Sequence, residues 1–386
     1  MLLVSARMQR QSRKLSSGMV FGFLVRIAYM EESRGDAPAK FVGRGMASRK
    51  DTAHRSVSSL LLASAPLLVA LFLGLIHSMT KPSFPVPPSG SAVVITGSST
   101  GIGRHSAAGL AAAGFLVFAG VRRVRDVETL VEAYPGRVFP LLLDVTDHDG
   151  GVMRAAEEVR ETLEDMGGKV KLAGLVNNAG IGLAMPLELL PLSRLRQVME
   201  VNVVGLLGVT QAFLPQLRRD QGRIINVGSA AGFTVPVTYG AYSSSKYALE
   251  AISDALRLEL RPWRISVSLL EPGTIESEIR RKNVGDAAPF KNLTESQYVL
   301  YQQIFDTYEQ RVDALERAAG SPQLTTDAIL HALTSSTPQS RYVLGAYQGL
   351  SLWLLRHVVL PFVPDYLLDW GKMKMIDLAV RQEMKK

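Results

Sequence analysis

At 386 residues, 47% hydrophobic and 20% charged, the chain has globular composition and the length of one large or two ordinary domains. Its net charge of +8 belongs to a leader: residues 1–56 carry eleven Lys and Arg against four Asp and Glu, a net +7, so the remainder is nearly neutral and offers no field suited to nucleic acid. There is no cysteine, which excludes disulfides, thiolate nucleophiles and Cys-ligated metals, and no metal site is expected.

Residues 1–56 are rich in Arg and Ser, hold no sustained period, and read as a disordered or targeting leader. From Val57 to Ile76 twenty residues carry no charge, the length that crosses a hydrocarbon core about 30 Å thick, so residues 57–77 are a candidate membrane helix. Pro66 lies in its middle, and a cleaved signal or a buried helix remains an alternative. Arg49, Lys50 and Arg55 precede the span and favour a cytosolic N-terminus, which places the rest across the membrane. Association with the endoplasmic reticulum membrane is the expectation; an Arg- and Ser-rich leader also suits a mitochondrial or plastid address. A Pro-rich linker is expected over residues 78–90, where "TKPSFPVPPSG" (Thr80–Gly90) places four prolines in eleven residues as a stiff tether.

Beyond it, short β-branched runs alternate with helical stretches, the pattern of a parallel sheet covered on both faces. The runs are "AVVIT" (Ala92–Thr96), "FLVFAG", "VFPLLLDV", "LAGLVNN", "RIINVGS" and "ISVSLLEPG". Helices are expected over Gly151–Met166, Leu192–Leu217 and Tyr242–Leu260. The fold class is therefore α/β, a doubly wound, Rossmann-like parallel sheet, over residues 91–345. Ligand is expected outside the carboxyl ends of its strands.

Two local patterns carry chemistry. In "VTYGAYSSSKYALE" (Val237–Glu250), only Tyr242 has the lysine four residues on, so within a helix Lys246 stands on the same face. A cation that close favours phenolate and makes the phenol usable as an acid or base. Taken alone, the pair also fits a solvated helix face. "TGSSTGIG" (Thr96–Gly103) joins the first strand to the first helix, where glycines let backbone N–H groups and the helix terminus approach an anion. Its spacing, G-x-x-x-G-x-G, departs from the usual G-x-G-x-x-G dinucleotide fingerprint.

Five short signals then follow one order: "TGSSTGIG", "NNAG" (Asn177–Gly180), "VNVVG" (Val201–Gly205), "NVGSAAG" with Ser229 thirteen residues before "YSSSK", and "EPGT" (Glu271–Thr274). On these residues the chain resembles the short-chain dehydrogenase/reductase family in its compact form, over roughly Ser91 to Ile279. The resemblance implies a catalytic tetrad of Asn202, Ser229, Tyr242 and Lys246. In it Tyr242 exchanges a proton with the substrate oxygen, Ser229 hydrogen-bonds that oxygen, Lys246 lowers the phenol pKa and holds the nicotinamide ribose, and Asn202 keeps a water behind Lys246. The implied cofactor-binding residues are Gly97, Ser99, Gly101, Ile102, Gly103, Arg122, Asp144, Val145, Asn178, Ala179, Gly180, Tyr242, Lys246, Pro272, Gly273 and Thr274. His105, His148, His331 and His357 fall outside every motif and are expected to be structural or exposed.

A carboxylate after the second strand binds an adenosine ribose hydroxyl, whereas arginine suits a 2′-phosphate. Here Arg122 and Arg123 follow the strand and no carboxylate appears until Asp126, so NADP is preferred over NAD, with Arg122 as phosphate partner. Asp144 otherwise reads as a helix cap.

The segment after the sixth strand, about 275–320, is expected to form a substrate lid, with core packing as the alternative for its apolar residues. "HALTSSTPQSRYVLG" (His331–Gly345) more loosely resembles the late helix, turn and strand of membrane-associated retinol and hydroxysteroid dehydrogenases and of 3-hydroxybutyrate dehydrogenases. Residues 346–386 form an apolar and amphipathic tail, in which Leu350–Trp370 suits a membrane interface, a channel roof or core packing alike. "NLT" at Asn292 is a glycosylation sequon if that face is lumenal. The expectation is a membrane-associated homodimer or homotetramer that interconverts an alcohol and a carbonyl on a lipophilic substrate of steroid, retinoid or acyl type. One rival is a dehydrogenase of a small hydroxy acid, for which Arg280, Arg281 and Lys282 are candidate cations; the other is a nucleotide-binding regulator without turnover.

Overall fold

Consecutive side chains of a strand point to opposite faces, so a strand covered on both sides must be apolar throughout. β1 (Ala92–Thr96) obeys this rule, with all five residues buried. The computed structural model describes residues 81–277, 289–347 and 350–371; the expected leader, the candidate membrane helix and the cations Arg280, Arg281 and Lys282 lie outside them. β2 (Leu116–Val121), β3 (Val138–Leu142), β4 (Leu172–Asn177), β5 (Arg223–Val227), β6 (Ser266–Pro272) and β7 (Arg341–Leu344) join β1 in one seven-stranded sheet of order β3-β2-β1-β4-β5-β6-β7. Every pairing is parallel. The first six strands match the runs read from sequence, and β7 is the strand of the "SRYVLG" stretch. The order reverses between β1 and β4, which makes the crevice above them the switch point where such sheets bind ligands.

The connecting helices form the two outer layers. α1 (Gly101–Ala112) is followed by α2 (Glu128–Ala133), α3 (Met153–Asp165), α4 (Leu192–Met199), α5 (Leu206–Asp220) and α6 (Gly240–Glu259). After β6 come α7 (Glu295–Leu300), α8 (Gln302–Asp306), α9 (Tyr308–Arg317) and α10 (Gln323–Thr334). Val93 and Ile95 share one core with Leu110 of α1, Leu130 of α2 and Ile329 of α10. Ala92 and Val94 share the opposite core with Val159 of α3, Phe213 of α5 and Leu256 of α6. A buried polar chain crosses the second layer: Asn177 donates to Thr210 and Asn226 at 2.9 and 3.0 Å, and Asn226 donates to Ser253 at 2.9 Å.

The expected helix over Leu192–Leu217 is continuous in space but not uniform, because a single π turn, Glu200–Gly205, separates α4 from α5. Such turns recur at functional sites, and this one carries Asn202. Gly205 ends it beneath β3's continuation, where a Cβ would lie 2.8 Å from the Val145 carbonyl oxygen. By length and composition the run Leu192–Asp220 is apolar enough to cross a membrane, at mean hydropathy 1.4. Leu206, Val209, Phe213 and Leu217 are nevertheless buried among the cores, so it is read as a core helix.

The Pro-rich stretch differs from a free tether over the residues described. Phe84 N–H donates to the Ser336 carbonyl at 2.8 Å, and the guanidinium of Arg223, 1% exposed, donates to Pro85, Ala332 and Ser335 carbonyls at 2.6, 2.6 and 2.7 Å. Proline lacks an N–H, but its carbonyl still accepts, and a buried arginine must spend its donors on whatever acceptors reach it. Replacing Arg223 with Met orphans these carbonyls. Urea unfolding of Arg223→Met is expected to show a loss of about 3 kcal/mol.

Candidate active site

Most of the residues singled out from sequence lie where strands end, while Asn202 sits in the π turn and Tyr242 and Lys246 on α6. Gly97–Gly103 follow β1, Arg122 follows β2, Asp144 and Val145 follow β3, and Asn178–Gly180 follow β4. Ser229 follows β5, Pro272 closes β6, and Gly273 and Thr274 come next. Because the strands are parallel, these ends share one edge of the sheet.

The turn after β1 is locked to the turn after β4. Thr96 Oγ1 accepts from the N–H groups of Asn178 and Ala179 at 3.0 and 2.9 Å, and Asn178 Nδ2 donates to the carbonyls of Thr96 and Gly97 at 2.9 and 3.1 Å. Gly97 adopts φ +69, and a Cβ there would sit 2.8 Å from Ala179 Cα. At Gly103 it would sit 2.3 Å from both Asn178 Nδ2 and the Gly97 carbonyl oxygen. The unusual glycine spacing is thus a packing requirement, with Gly97 and Gly103 at the crowded contact. Gly101, φ +56, opens α1, whose N-cap Thr100 makes no side-chain cap and whose first turn holds no acidic residue. Uncapped N–H groups at a helix start fit an anionic diphosphate. Ser99 and Ile102 are half-buried beside them.

Arg122 is exposed, and among the described residues no ion pair or hydrogen bond is seen for it. Its neighbour Arg123 is tied to Asp126 at 3.1 Å, and Arg104 of α1 crosses to the Asp126 carbonyl at 3.0 Å. Asp144 forms a local turn instead of a helix cap, accepting from Thr146 N–H and Oγ1 at 3.0 and 2.8 Å, and Val145 is buried.

Ser229 stands just before the 3-10 turn Ala230–Gly232, and its Oγ accepts from Ala231 N–H at 3.1 Å, which leaves its O–H to donate elsewhere. Tyr242 and Lys246 lie one turn apart on α6, with Lys246 Nζ 5.6 Å from the centre of the Tyr242 ring. Lys246 is 6% exposed and donates to the Val227 carbonyl at 2.8 Å. Burial lowers its ammonium to about 8. Asn202 is 1% exposed; its Oδ1 accepts from Ile181 N–H at 2.8 Å, and its Nδ2 donates to the Ile181 carbonyl at 3.0 Å and to Ser245 Oγ at 2.9 Å. Its side chain therefore joins the loop after β4 to α6, with both amide hydrogens committed.

Over this edge stands an aromatic cluster. Phe290 stacks on Phe305 at 4.7 Å and meets Tyr308 edge-on at 5.0 Å, and Tyr239 packs against the same group. Tyr239 in turn meets Tyr242 edge-on at 6.3 Å. The described part of the segment expected as a lid forms α7 to α9, whose apolar residues pack with Ala184, Leu189 and Tyr239. The four histidines outside the motifs all hold hydrogen-bond partners: His105 with Thr326, His148 with Glu200, His331 with the Tyr342 hydroxyl, and His357 with the Trp353 carbonyl. Among the described residues no group of three His, Cys, Asp or Glu is arranged to hold a metal ion. Sequence reasoning missed Thr96, whose hydroxyl locks the two turns. It also missed Arg356, Arg341 and Glu250, which surround the buried Glu271. Nothing in their local sequence marks them.

Comparison with known proteins decides the family: residues 91–288 match the model of the short chain dehydrogenases. The chain belongs to the short-chain dehydrogenase family. It is 34% identical to an NADPH-dependent 3-dehydrocapnine reductase of Ornithobacterium rhinotracheale, over 72% of this chain and 94% of that one. It is 32% identical to mouse retinol dehydrogenase 5, over 79% and 96%, and 32% identical to the mitochondrial D-beta-hydroxybutyrate dehydrogenase of Bos taurus, over 88% and 98%. A short-chain dehydrogenase from Streptomyces avermitilis superposes with a TM-score of 0.59 at 30% identity, covering 75% of this chain and 98% of that one. As a member of this family the protein is an NAD(P)-dependent oxidoreductase.

The lowered Lys246 has a thermodynamic consequence. Its folded-state pKa of about 8 lies below the unfolded value near ~10.4, so folding is penalised while the group is charged, fully below pH 8, and the penalty fades as pH rises to the unfolded value. Lys246→Met is expected to raise unfolding stability at pH 7 by roughly 1–3 kcal/mol, with the gain shrinking by pH 10 in paired denaturation curves.

Proposed function

We propose that this short-chain dehydrogenase interconverts an alcohol and its carbonyl on a lipophilic substrate of steroid, retinoid or acyl type, with NADP preferred over NAD. The observation that carries the reading is the buried Lys246 ammonium beside the Tyr242 ring. A cation in a dry site favours the phenolate, so Tyr242 exchanges a proton with the substrate oxygen near neutral pH. Ser229 spends a lone pair on Ala231 N–H and directs its O–H at that same oxygen. In the oxidative direction Tyr242 takes the hydroxyl proton as the C–H hydride leaves; in the reductive direction it returns a proton to the carbonyl oxygen. The nicotinamide, when bound, is the hydride acceptor or donor. Asn202 keeps α6 in register with the loop at Ile181, and a water behind Lys246 completes the proposed path to solvent.

The dinucleotide is assigned to the residues named from sequence: the diphosphate to Gly97–Gly103, the adenine side to Asp144 and Val145, the ribose side to Asn178–Gly180, and the nicotinamide side to Pro272–Thr274. An exposed Arg122, beside an Arg123 already paired with Asp126, supports a 2′-phosphate partner and hence NADP. The aromatic cluster supports an apolar substrate, as does the similarity to a retinol dehydrogenase. A second reading, a small hydroxy acid, draws support from the hydroxybutyrate dehydrogenase relative. Residues 57–77 are proposed to anchor the enzyme in the endoplasmic reticulum membrane, a dimer or tetramer being its assembly.

Purified Tyr242→Phe is expected to lose at least about a hundredfold in kcat while still binding dinucleotide; unchanged turnover rejects the acid–base assignment. In a panel of retinal, a ketosteroid and acetoacetate, run with NADPH and NADH, apolar carbonyls and NADPH should give the higher kcat/KM. Arg122→Ala should erase the coenzyme preference. Faster turnover of acetoacetate turns the substrate assignment toward the second reading. Deleting residues 1–80 should move the protein from the membrane to the soluble fraction.

A further inference from the structure

Behind the proposed acid–base pair lies a group of charges that the reaction does not use. Glu271 on β6 has no exposed surface, yet it immediately precedes Pro272–Thr274. Glu250 lies one helical turn beyond Lys246 on α6, and Asp254 one turn further. Two arginines from the end of the chain enter between them. Arg341 of β7 reaches Glu250 at 3.1 Å, Asp254 at 2.8 Å and Glu271 at 3.6 Å. Arg356, from the segment after residue 350, donates to Glu271 and reaches Glu250 at 3.2 Å.

Arg356 also stacks over the Phe233 ring at 4.7 Å, and Phe233 directly follows the turn that Ser229 opens. In that turn, a Cβ on Gly232 would lie 3.1 Å from the Lys246 carbonyl oxygen and 3.2 Å from Glu250 Oε1. Leu352, fully buried, comes from the same C-terminal segment, and a Cβ on Gly273 would lie 2.5 Å from its Cδ1. One side chain thus touches all three segments that carry the proposed site: the Ser229 turn, the Tyr242–Lys246 helix and the strand leading to Pro272–Thr274. A planar guanidinium suits the task because its fork holds two carboxylates while its face covers a ring.

We infer that Arg356 is a positioning residue: through Glu250, Glu271 and Phe233 it sets the spacing between α6, the Ser229 turn and the loop after β6. This inference rests on the assignment of Tyr242 and Lys246 as the acid–base pair. Removing the guanidinium takes out the group that bridges Glu250, Glu271 and the Phe233 ring, and leaves Arg341 alone between the two carboxyl groups. α6 is then held less firmly against β6 and the Ser229 turn, which permits the small displacements to which hydride and proton transfer are most sensitive.

The test uses the full chain in detergent, with retinal or the fastest panel substrate and NADPH. Arg356→Ala is expected to lower kcat about ten- to a hundredfold while the Kd for NADPH, read from its fluorescence, stays within about threefold. Arg356→Lys, which keeps the charge but not the fork, is expected to fall between parent and alanine variant. Without dinucleotide, amide hydrogen exchange over residues 240–250 should quicken in Arg356→Ala relative to the parent. If the alanine variant does not accumulate folded, Arg356→Lys carries both readouts. A kcat within about twofold of the parent, or unchanged exchange over 240–250, overturns the inference. Full activity in Tyr242→Phe sinks the acid–base assignment instead; an inactive Tyr242→Phe beside a fully active Arg356→Ala sinks the clamp alone.

Discussion

A positive charge kept in a dry interior is the constraint around which the carboxyl edge of this sheet is organised. Lys246 reaches one backbone carbonyl, that of Val227, and otherwise lies against a tyrosine ring. An ammonium so placed is costly, and its lowered pKa records that cost. The fold tolerates it because α6 is held on several sides: Asn202 grips Ser245, Gly232 lets the Ser229 turn approach the Lys246 backbone, and Glu250 ties the next turn to two arginines. The same burial that makes the lysine expensive serves the proposed proton exchange, since a little-solvated ammonium is held near the Tyr242 ring.

The walls of the site come from remote parts of the chain. The aromatic residues of α8 and α9, the strand β7 and the segment bearing Arg356 all follow β6 in the chain. The aromatic cluster of α8 and α9 meets Tyr239, whose ring in turn meets Tyr242, so apolar packing continues to the polar pair. On the opposite side, burial pushes Glu271 up to about 9, with Glu250 beside it adding to the shift, and the two arginines oppose it. Apolar contacts and a compact charge group thus flank the same helix from two directions.

Much of this arrangement was legible beforehand. Six strands, the direction of the sheet and the pairing of Tyr242 with Lys246 follow from short, uniformly apolar runs alternating with helical stretches and from four-residue spacing on a helix, both local properties. The glycine turn was legible as a turn; that Gly97 and Gly103 are crowded against Asn178 was not, because the contact joins residues about eighty positions apart. That the Asn202 amide bridges Ile181 and Ser245 was not legible, because it depends on a π turn no propensity reveals. The proline run was read as a tether, yet the part described lies along the domain because Arg223, buried at the start of β5, needs carbonyl partners.

By itself, the order of residues determined the element types, the strand ends that gather at one edge and the family, since these depend on neighbours within a few positions and on motifs of fixed spacing. Tertiary structure alone decided which buried charges are neutralised by which, where Thr96 and Asn178 meet, and that a C-terminal arginine reaches the helix of Tyr242 and Lys246. Charges and hydrogen bonds act across a few ångströms of space whatever their separation along the chain, and only the folded sheet brings positions 233, 250, 271 and 356 within that distance.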